Sequence, residues 1–467
     1  MQKTKYVTEQ AVCQTTLHVE STILELDENG LTIMQRQKRF ACQNSLEIRY
    51  LHVLWAEATK EQLTIHYAAE RHKTLNATRK VFQLLDQGTS PRIQAWVQLL
   101  LDRAYGDSKA RKNLKIYLNP FSGKGSAVKL YYRYAEPLFK AARCQIDLHE
   151  TSHSGHASQL VREDRNIDAC DAIVCCSGDG LPYEVINGIA LRDDAGHILR
   201  NVPVVQLPGG SGNAMCVNMF KTTSFSHAAL YTIKGIRQPI DLMSVTQGDK
   251  RYISFLSQSV GLLAECDLDT ENMRFLGGKR FAVGFLQRLF SPPVYGCELA
   301  VYNSTSQPDP YADHPGCQTN EQSRGLPHLQ FGSVNDILPD SWKREHHPTL
   351  GIFFAGQFPF VDAISKVFPD ARPDDGLVDI IMVDSGIGAW KLVQLFKRVP
   401  EGNHLAMREV HHRKVAAYRV TPVRTRGAFS IDGERSSFQP FQVEVHPQLG
   451  MTLVTPVGAE EHRLGHN

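Results

Sequence analysis

The sequence predicts a parallel α/β domain over residues 109–238, an antiparallel β-sandwich over 239–458 and a smaller β module over 1–108. Two patterns and one total carry this reading. From Leu114 the chain repeats apolar strand, glycine-rich turn and helix, the signature of a parallel sheet. After about residue 238 the helical signal fades and short strands dominate. A length of 467 residues leaves room for about three domains. Hydrophobic residues make up 42% and charged residues 21%, the composition of a folded protein. With 51 basic and 49 acidic residues the formal net charge is +2, which excludes a globally basic nucleic-acid binder and confines any anion site to a local cluster. Ten cysteines without a CxxC pair point away from a disulfide scaffold, a zinc ribbon and a thioredoxin-like motif. Adjacent Cys175 and Cys176 sit in an apolar run and read as buried thiols. The opening MQKTKYVTEQAV holds no apolar signal segment, and no stretch approaches the roughly 20 apolar residues of a membrane span. A soluble cytoplasmic protein is expected, in which the sequons at Asn76 and Asn303 are chance matches.

In the N-terminal module, TTLHVESTILELDENGLTIMQ places strand-like residues on both sides of Asp27-Glu28-Asn29-Gly30, a hairpin turn. QLTIHYAAE and the stretch around RYLHVLWAEA are further strands. The module closes on SPRIQAWVQLLLDRAYGD, where Ile93, Trp96, Val97, Leu100 and Leu101 share one helical stripe behind a Thr89 or Ser90 cap and Pro91. Several strands followed by one helix with a central Trp resemble a pleckstrin-homology domain; a β extension without a ligand fits equally. The first hairpin carries Asp27 and Glu28 rather than basic residues, which argues against lipid head-group binding there.

The α/β units are LKIYLNPFSGKGSA, CQIDLHETSHSGHASQLV, DAIVCCSGDGLPYEVINGIA and VPVVQLPGGSGNAMCV. Three of them end in glycine turns: Gly123-Lys124-Gly125, Gly178-Asp179-Gly180 and Gly209-Gly210-Ser211-Gly212. Glycines there let backbone N–H groups close on an anion at the following helix, so three in succession favour a polyphosphate ligand over plain tight turns. The first lacks the Ser or Thr of a Walker A loop, and Met215 stands where a dinucleotide fingerprint needs glycine. His149-Glu150-Thr151-Ser152-His153 matches HExxH, but His149 ends an alternating strand, and a zinc site of this kind needs a helix. In the second half, RYISFLSQSV, CELAVY, LGIFFAG, LVDIIMV, AAYRVTP and FQVEVHP are strands. The Pro-, Ser- and Gln-rich stretch 303–348 interrupts them and predicts a flexible insertion at about 303–340.

Taken together, Asn119-Pro120-Phe121-Ser122-Gly123-Lys124-Gly125-Ser126-Ala127, Ser177-Gly178-Asp179-Gly180 with Glu184-Val185-Ile186-Asn187-Gly188, and Pro208-Gly209-Gly210-Ser211-Gly212-Asn213-Ala214 resemble the diacylglycerol kinase-like catalytic superfamily. Ser177, where relatives such as diacylglycerol and ceramide kinases have Gly, and Ala214, where many lipid kinases have Asp, make the chain most similar to sphingosine (long-chain base) kinases. The continuation Leu181-Pro182-Tyr183-Glu184 resembles fungal members. The resemblance, over about 113–456, implies a Rossmann-like, phosphofructokinase-like nucleotide domain followed by a lipid-binding β-sandwich. It implies Asp179 as the catalytic base, which also meets the acceptor. It implies nucleotide contacts from Asn119, Ser122, Gly123, Lys124, Gly125, Thr151, Ser177, Gly178, Gly180, Glu184, Gly209, Gly210, Ser211, Gly212 and Asn213. Ser257-Gln258-Ser259-Val260-Gly261 and the run to Phe281 are similar to the family's acceptor segment. Carried over, Ser257 and Asp267 bind substrate and Arg274 and Arg280 bind phosphate. Phe429-Ser430-Ile431-Asp432-Gly433-Glu434 resembles a returning acidic hairpin, which places Asp432, Gly433 and Glu434 at the nucleotide. Asp374-Asp375-Gly376-Leu377 matches a strand entry and reads as a turn.

The activity so implied is ATP-dependent phosphorylation of the primary hydroxyl of sphingosine, sphinganine or phytosphingosine. Mg²⁺ would arrive with ATP, held by no protein site alone, with Asp432 or Glu434 reaching it. Lys124, Arg274 and Arg280 would offset phosphate charge and Asp267 would pair with the acceptor's amine. Leu256, Val260, Leu262, Leu263, Phe281, Phe285, Leu286 and Leu289 are candidates for an alkyl tunnel and equally for ordinary core. A substrate resident in bilayers implies peripheral membrane contact, for which FAVGFLQRLF is a candidate surface. Diacylglycerol or ceramide kinase is the alternative activity, and a catalytically silent lipid-binding adaptor the alternative class. The oligomeric state stays open.

Overall fold

The computed structural model describes residues 15–35, 45–84, 90–268, 288, 293–302 and 324–456; of Gly123, Lys124 and Asp267 it describes the backbone alone. Within these residues no helix is long and apolar enough to cross a membrane.

The N-terminal module holds a four-stranded and a three-stranded antiparallel sheet, closed by the helix Pro91–Tyr105. At the first hairpin, Asp27 Oδ1 accepts the N–H groups of Asn29 and Gly30, the side-chain turn that the sequence signals. The five stripe residues of the closing helix are all buried, and Trp96 Nε1 donates to the Thr15 carbonyl at 3.1 Å. Ser90 precedes that helix as its cap residue without a capping side-chain bond. The order of strands and helix is the one expected.

The α/β domain is a four-stranded parallel sheet in the order Val204–Pro208, Ala172–Ser177, Asn113–Leu118, Gln145–Glu150. The chain first moves outward from Asn113–Leu118 to Gln145–Glu150, then crosses to Ala172–Ser177 on the other side. The crevice at the carboxyl ends of Asn113–Leu118 and Ala172–Ser177 is therefore the topological switch point, where open α/β sheets bind ligands. The loops leaving these two strands are 119–125 and 178–180. The strand Ile236–Gln247 runs through the expected boundary at 238/239, its first half pairing with residues 450–454.

The second half is a sandwich of two six-stranded antiparallel sheets. In the sheet containing Leu350–Gly356 and Val378–Asp384, alternate residues face two different cores. Phe353, Ala355, Ile380 and Met382 point between the sheets, while Ile352, Ile381 and Val383 point outward under the helix Ala389–Arg398. Burial on both faces explains why LGIFFAG and LVDIIMV are continuously apolar in sequence.

Part of the expected flexible insertion is held in place. Glu444 accepts the N–H groups of Gln330 and Phe331, Arg419 donates to the Ser333 and Asp336 carbonyls, and Arg251 donates to that of Pro327. Trp342 is buried against Phe331 and Tyr302. The backbone of 324–342 finds its hydrogen bonds on sheet residues far away in sequence, which its polar composition concealed. Residues 303–323 lie outside the described residues.

Candidate active site

Three turns meet at the switch point, and Ser122 ties them. Its hydroxyl donates to the Gly209 carbonyl at 3.0 Å and accepts the Gly178 N–H at 3.2 Å. One side chain from the first turn thus bridges the second and the third. The glycines are needed by contact: a Cβ on Gly210 would lie 2.3 Å from the Gly178 Cα. Asn119 caps its own turn through the Phe121 N–H, and its N–H bonds the Cys176 carbonyl across the crevice. Asn213, in the left-handed region at φ 57°, clasps Gly210 by both its N–H and its carbonyl. Gly123, Lys124 and Gly125 lie on the short helical turn Ser122–Gly125. Ser211 is exposed, whereas Ser177 and Thr151 are buried, Thr151 N–H bonding the Leu118 carbonyl. Glu184 sits half-buried on the helix Gly180–Ala190.

Asp179 stands where the second turn meets that helix. Its Oδ1 accepts Gln206 Nε2 at 3.2 Å and the Met215 N–H at 3.4 Å. Burial raises its pKa to about 6, against the opposing pull of these donors. A Cβ on Gly212 would lie 2.7 Å from Asp179 Oδ2, so the third turn must be glycine to leave the carboxylate its place. Gln206 was not anticipated. It is a buried amide in the apolar strand Val204–Pro208, its Oε1 accepting the Cys216 N–H while its Nε2 reaches Ser177 and Asp179. A lone Gln inside VPVVQLP was the available signal.

The returning hairpin separates two acidic residues that the sequence treats alike. Asp432, at φ 52°, and Gly433, at φ 87°, form the tight turn between Phe429–Ile431 and Glu434–Ser436. The Asp432 carboxylate is turned inward and accepts the Ser254 hydroxyl and the N–H groups of Phe255, Leu256 and Ser257. It is 2% exposed, and burial raises its pKa to about 6. This arrangement differs from the expectation of a nucleotide or metal contact, because all of its bonding is spent on the 254–257 turn. Exposed Glu434 faces the site: a Cβ on Gly180 would lie 2.7 Å from its Oε1. Ser257 is joined to Asp432 in both directions through its backbone, which brings the acceptor segment to the same hairpin.

Asp267 lies on the helix Leu262–Leu268 directly after the strand Ser257–Gly261. Arg274, Arg280, Phe281, Phe285, Leu286 and Leu289 lie outside the described residues, as does FAVGFLQRLF apart from Arg288. The remaining tunnel candidates divide among three cores: Leu256 with the α/β domain, Val260 between the sheets, and Leu262 with Leu263 in the outer cluster under Ala389–Arg398. The loop after Leu350–Gly356 reaches the site from the sandwich. Asn218 exchanges two hydrogen bonds with Phe360, of 2.7 and 3.1 Å, beside the third turn. The HExxH residues diverge: His149 pairs with Asp147 on its strand at 2.9 Å, while His153 stacks on His156. Asp374–Leu377 forms a turn, its Gly376 N–H bonding buried Asp241.

Comparison with known proteins bears directly on this site. Residues 113–245 match the diacylglycerol kinase catalytic domain, 358–454 match a YegS C-terminal NAD kinase beta sandwich-like domain, and 9–106 match a domain of unknown function. The chain is 32% identical over 421 residues to sphingoid long chain base kinase 4 of Schizosaccharomyces pombe, covering 88% of this chain and 89% of that one. It is also 32% identical over 422 residues to sphingoid long chain base kinase 5 of Saccharomyces cerevisiae, covering 77% of this chain and 61% of that longer protein. Human sphingosine kinase 1 is 27% identical, covering 71% of this chain and 88% of its own. Among solved structures, a protein described as a diacylglycerol kinase from Bacillus anthracis strain Sterne superposes with a TM-score of 0.54 at 18% identity, covering 75% of this chain and 99% of its own, which shows the shared fold. With its catalytic motifs on these turns and fungal relatives of this identity and coverage, the chain belongs to the sphingoid long-chain base kinases, enzymes with a diacylglycerol kinase catalytic domain.

Proposed function

We propose that this chain transfers the γ-phosphoryl group of ATP to the primary hydroxyl of a sphingoid long-chain base, with Asp179 accepting the hydroxyl proton. The observation that carries the mechanism is Asp179 itself, a half-buried carboxylate with a pKa of about 6 at the meeting point of three glycine turns. Such a group is ionised at neutral pH yet basic enough to take a proton as the oxygen attacks. Gln206 and the Met215 N–H aim it, and the turns tied by Ser122 present backbone N–H groups to the phosphates. Phosphoryl transfer of this kind is chiefly a matter of position and charge. Lys124, Arg274 and Arg280 supply charge in this reading, and Asp267 pairs with the acceptor's ammonium group, which diacylglycerol lacks. Ser257 bonds an acceptor hydroxyl.

Mg²⁺ fits one carboxylate of the hairpin and not the other. Glu434 is exposed against the Asp179 turn, whereas Asp432 is buried on four donors. In this reading the ion is carried mainly on phosphate oxygens, with Glu434 its protein contact. When bound, it neutralises charge building on the phosphates. The alkyl chain of the acceptor is assigned to the outer cluster, where Leu263, Phe354, Val361 and Phe396 are only partly buried. Contact with membranes is peripheral. Purified protein given sphinganine, ceramide or diacylglycerol with labelled ATP tests this: label in sphinganine alone is expected, and its absence there overturns the reading.

A further inference from the structure

The helix Ala389–Arg398 has two unlike sides. Leu392 and Leu395, with Val399 just beyond, are buried against Ile352, Ile381 and Val383 and share their cluster with Leu262 and Cys266. At 3.6 residues per turn, Trp390, Gln394 and Lys397 fall on the opposite side, with Arg398 at its edge. Trp390 is 70% exposed, and Lys391, Lys397 and Arg398 are exposed beside it. The sequence AWKLVQLFKR holds three basic residues and no acidic one, and Lys391 is paired with Glu409 at 2.5 Å. An outward Trp flanked by cations on an amphipathic helix is the composition of a segment that lies in a membrane interface.

We infer that Trp390, Lys397 and Arg398 form the face by which the chain seats on an anionic bilayer. The charges select the leaflet and the indole enters the headgroup region. The face lies on the helix that covers the apolar cluster assigned to the acceptor's chain. The buried side of this helix packs on the same cluster as Leu262 and Cys266, whose helix carries Asp267. A lipid leaving the bilayer beside Trp390 would therefore have one helix to pass before reaching the apolar cluster assigned to its chain. The inference rests on the lipid-kinase reading for the reason that a bilayer is the occupant; the exposed residues supply the chemistry.

The test uses the full chain and vesicles of phosphatidylcholine with or without phosphatidylserine. Binding should favour phosphatidylserine. At about fivefold per cation, the K397A/R398A variant should bind those vesicles about 25-fold more weakly. Trp390→Ala should weaken binding to both kinds, and quenching of protein fluorescence by brominated lipid should shrink in Trp390→Phe. Phosphorylation of sphinganine in detergent micelles should be unchanged in all three variants. Equal binding by the K397A/R398A variant, no preference for phosphatidylserine, or a change of oligomeric state as the main effect would overturn the membrane face. A wild-type chain that leaves sphinganine in micelles unphosphorylated overturns the kinase reading instead, and the vesicle measurements still decide this one.

Discussion

Asp432 and Glu434 stand two positions apart and have opposite surroundings. Replacing Asp432 by Ala strands a hydroxyl and three N–H groups in a buried turn. At about 1–3 kcal/mol for each buried group left unpaired, the loss should exceed 3 kcal/mol and appear in thermal or denaturant unfolding. Glu434→Gln should leave the unfolding midpoint within about 0.5 kcal/mol, as for an exposed site, and raise the MgATP concentration needed for half-maximal rate. The reverse pattern would return the metal role to Asp432. At Asp179 the pKa lies above its ordinary value of 3.8, at about 6, so the native state holds that proton more tightly than the unfolded chain. The anion consequently costs stability above pH 6, a cost relieved as pH falls from 6 towards 4. Activity has the opposite dependence, because the base works ionised: kcat/KM should rise with pH and level off above about 6. Asp179→Asn should lower kcat by about 10²–10⁴-fold without lowering the melting temperature at pH 7.5, measured by calorimetry. A variant that melted early would mark Asp179 as a structural turn residue.

Among elements, the three turns form a single unit, and Ser122 is the test of it. Ser122→Ala leaves the Gly178 N–H without its side-chain partner and unties the first turn from the third. The expected result is a raised KM for ATP, with the KM for sphinganine unchanged and a stability loss of about 1–2 kcal/mol. Equal changes in both KM values would show a general loss of packing. The turns themselves were legible in sequence because their cause is local: apolar strand, glycine, helix, each set by neighbours along the chain. So were the Asp27 hairpin and the Trp96 stripe. What sequence concealed depends on distant partners. Gln206 gains its role only when the strand Val204–Pro208 lies beside Ser177 and Asp179. Asp432 resembles Glu434 until the 254–257 turn folds over it. Residues 324–340 look like a loose insertion because their polar backbone is satisfied by Arg251, Arg419 and Glu444, separated from them by dozens of residues. The four described tunnel candidates, Leu256, Val260, Leu262 and Leu263, are divided among three cores, since hydrophobic character says that a residue is buried and not against which layer.

Across the whole molecule, the N-terminal module is fused to the catalytic domain rather than tethered to it. Leu17, Leu63, Trp96, Ile116 and Leu230, with other buried residues of both parts, belong to one hydrophobic cluster that runs through them. At the seam, Lys234 is 1% exposed, donates to the Ala104 carbonyl at 2.8 Å and lies 3.5 Å from the Tyr105 ring centroid. Burial holds its pKa well below the ordinary lysine value. Ser108 bonds the Ile233 and Gly235 carbonyls, Lys112 bonds Ile233, and the Leu75 N–H meets Ser226 from the other side. The helix Phe225–Lys234, buried along its whole length, is thus enclosed partly by the module. A buried lysine bonded to a carbonyl across a seam is costly to expose in pieces, because removing the partner leaves an unpaired polar amine against apolar neighbours until the seam opens. The two parts should therefore unfold together. Calorimetry of the full chain should show one transition for the module and the α/β domain, with tryptophan fluorescence from Trp55 and Trp96 changing at the same temperature as loss of ATP binding. A chain beginning at residue 109 should be insoluble or bind a hydrophobic dye, having stripped the helix Phe225–Lys234 of its Leu75, Ala104 and Tyr105 contacts and laid Lys234 bare. Two separate transitions, or a soluble truncated chain that melts like the whole, would show instead an appended module on an autonomous kinase.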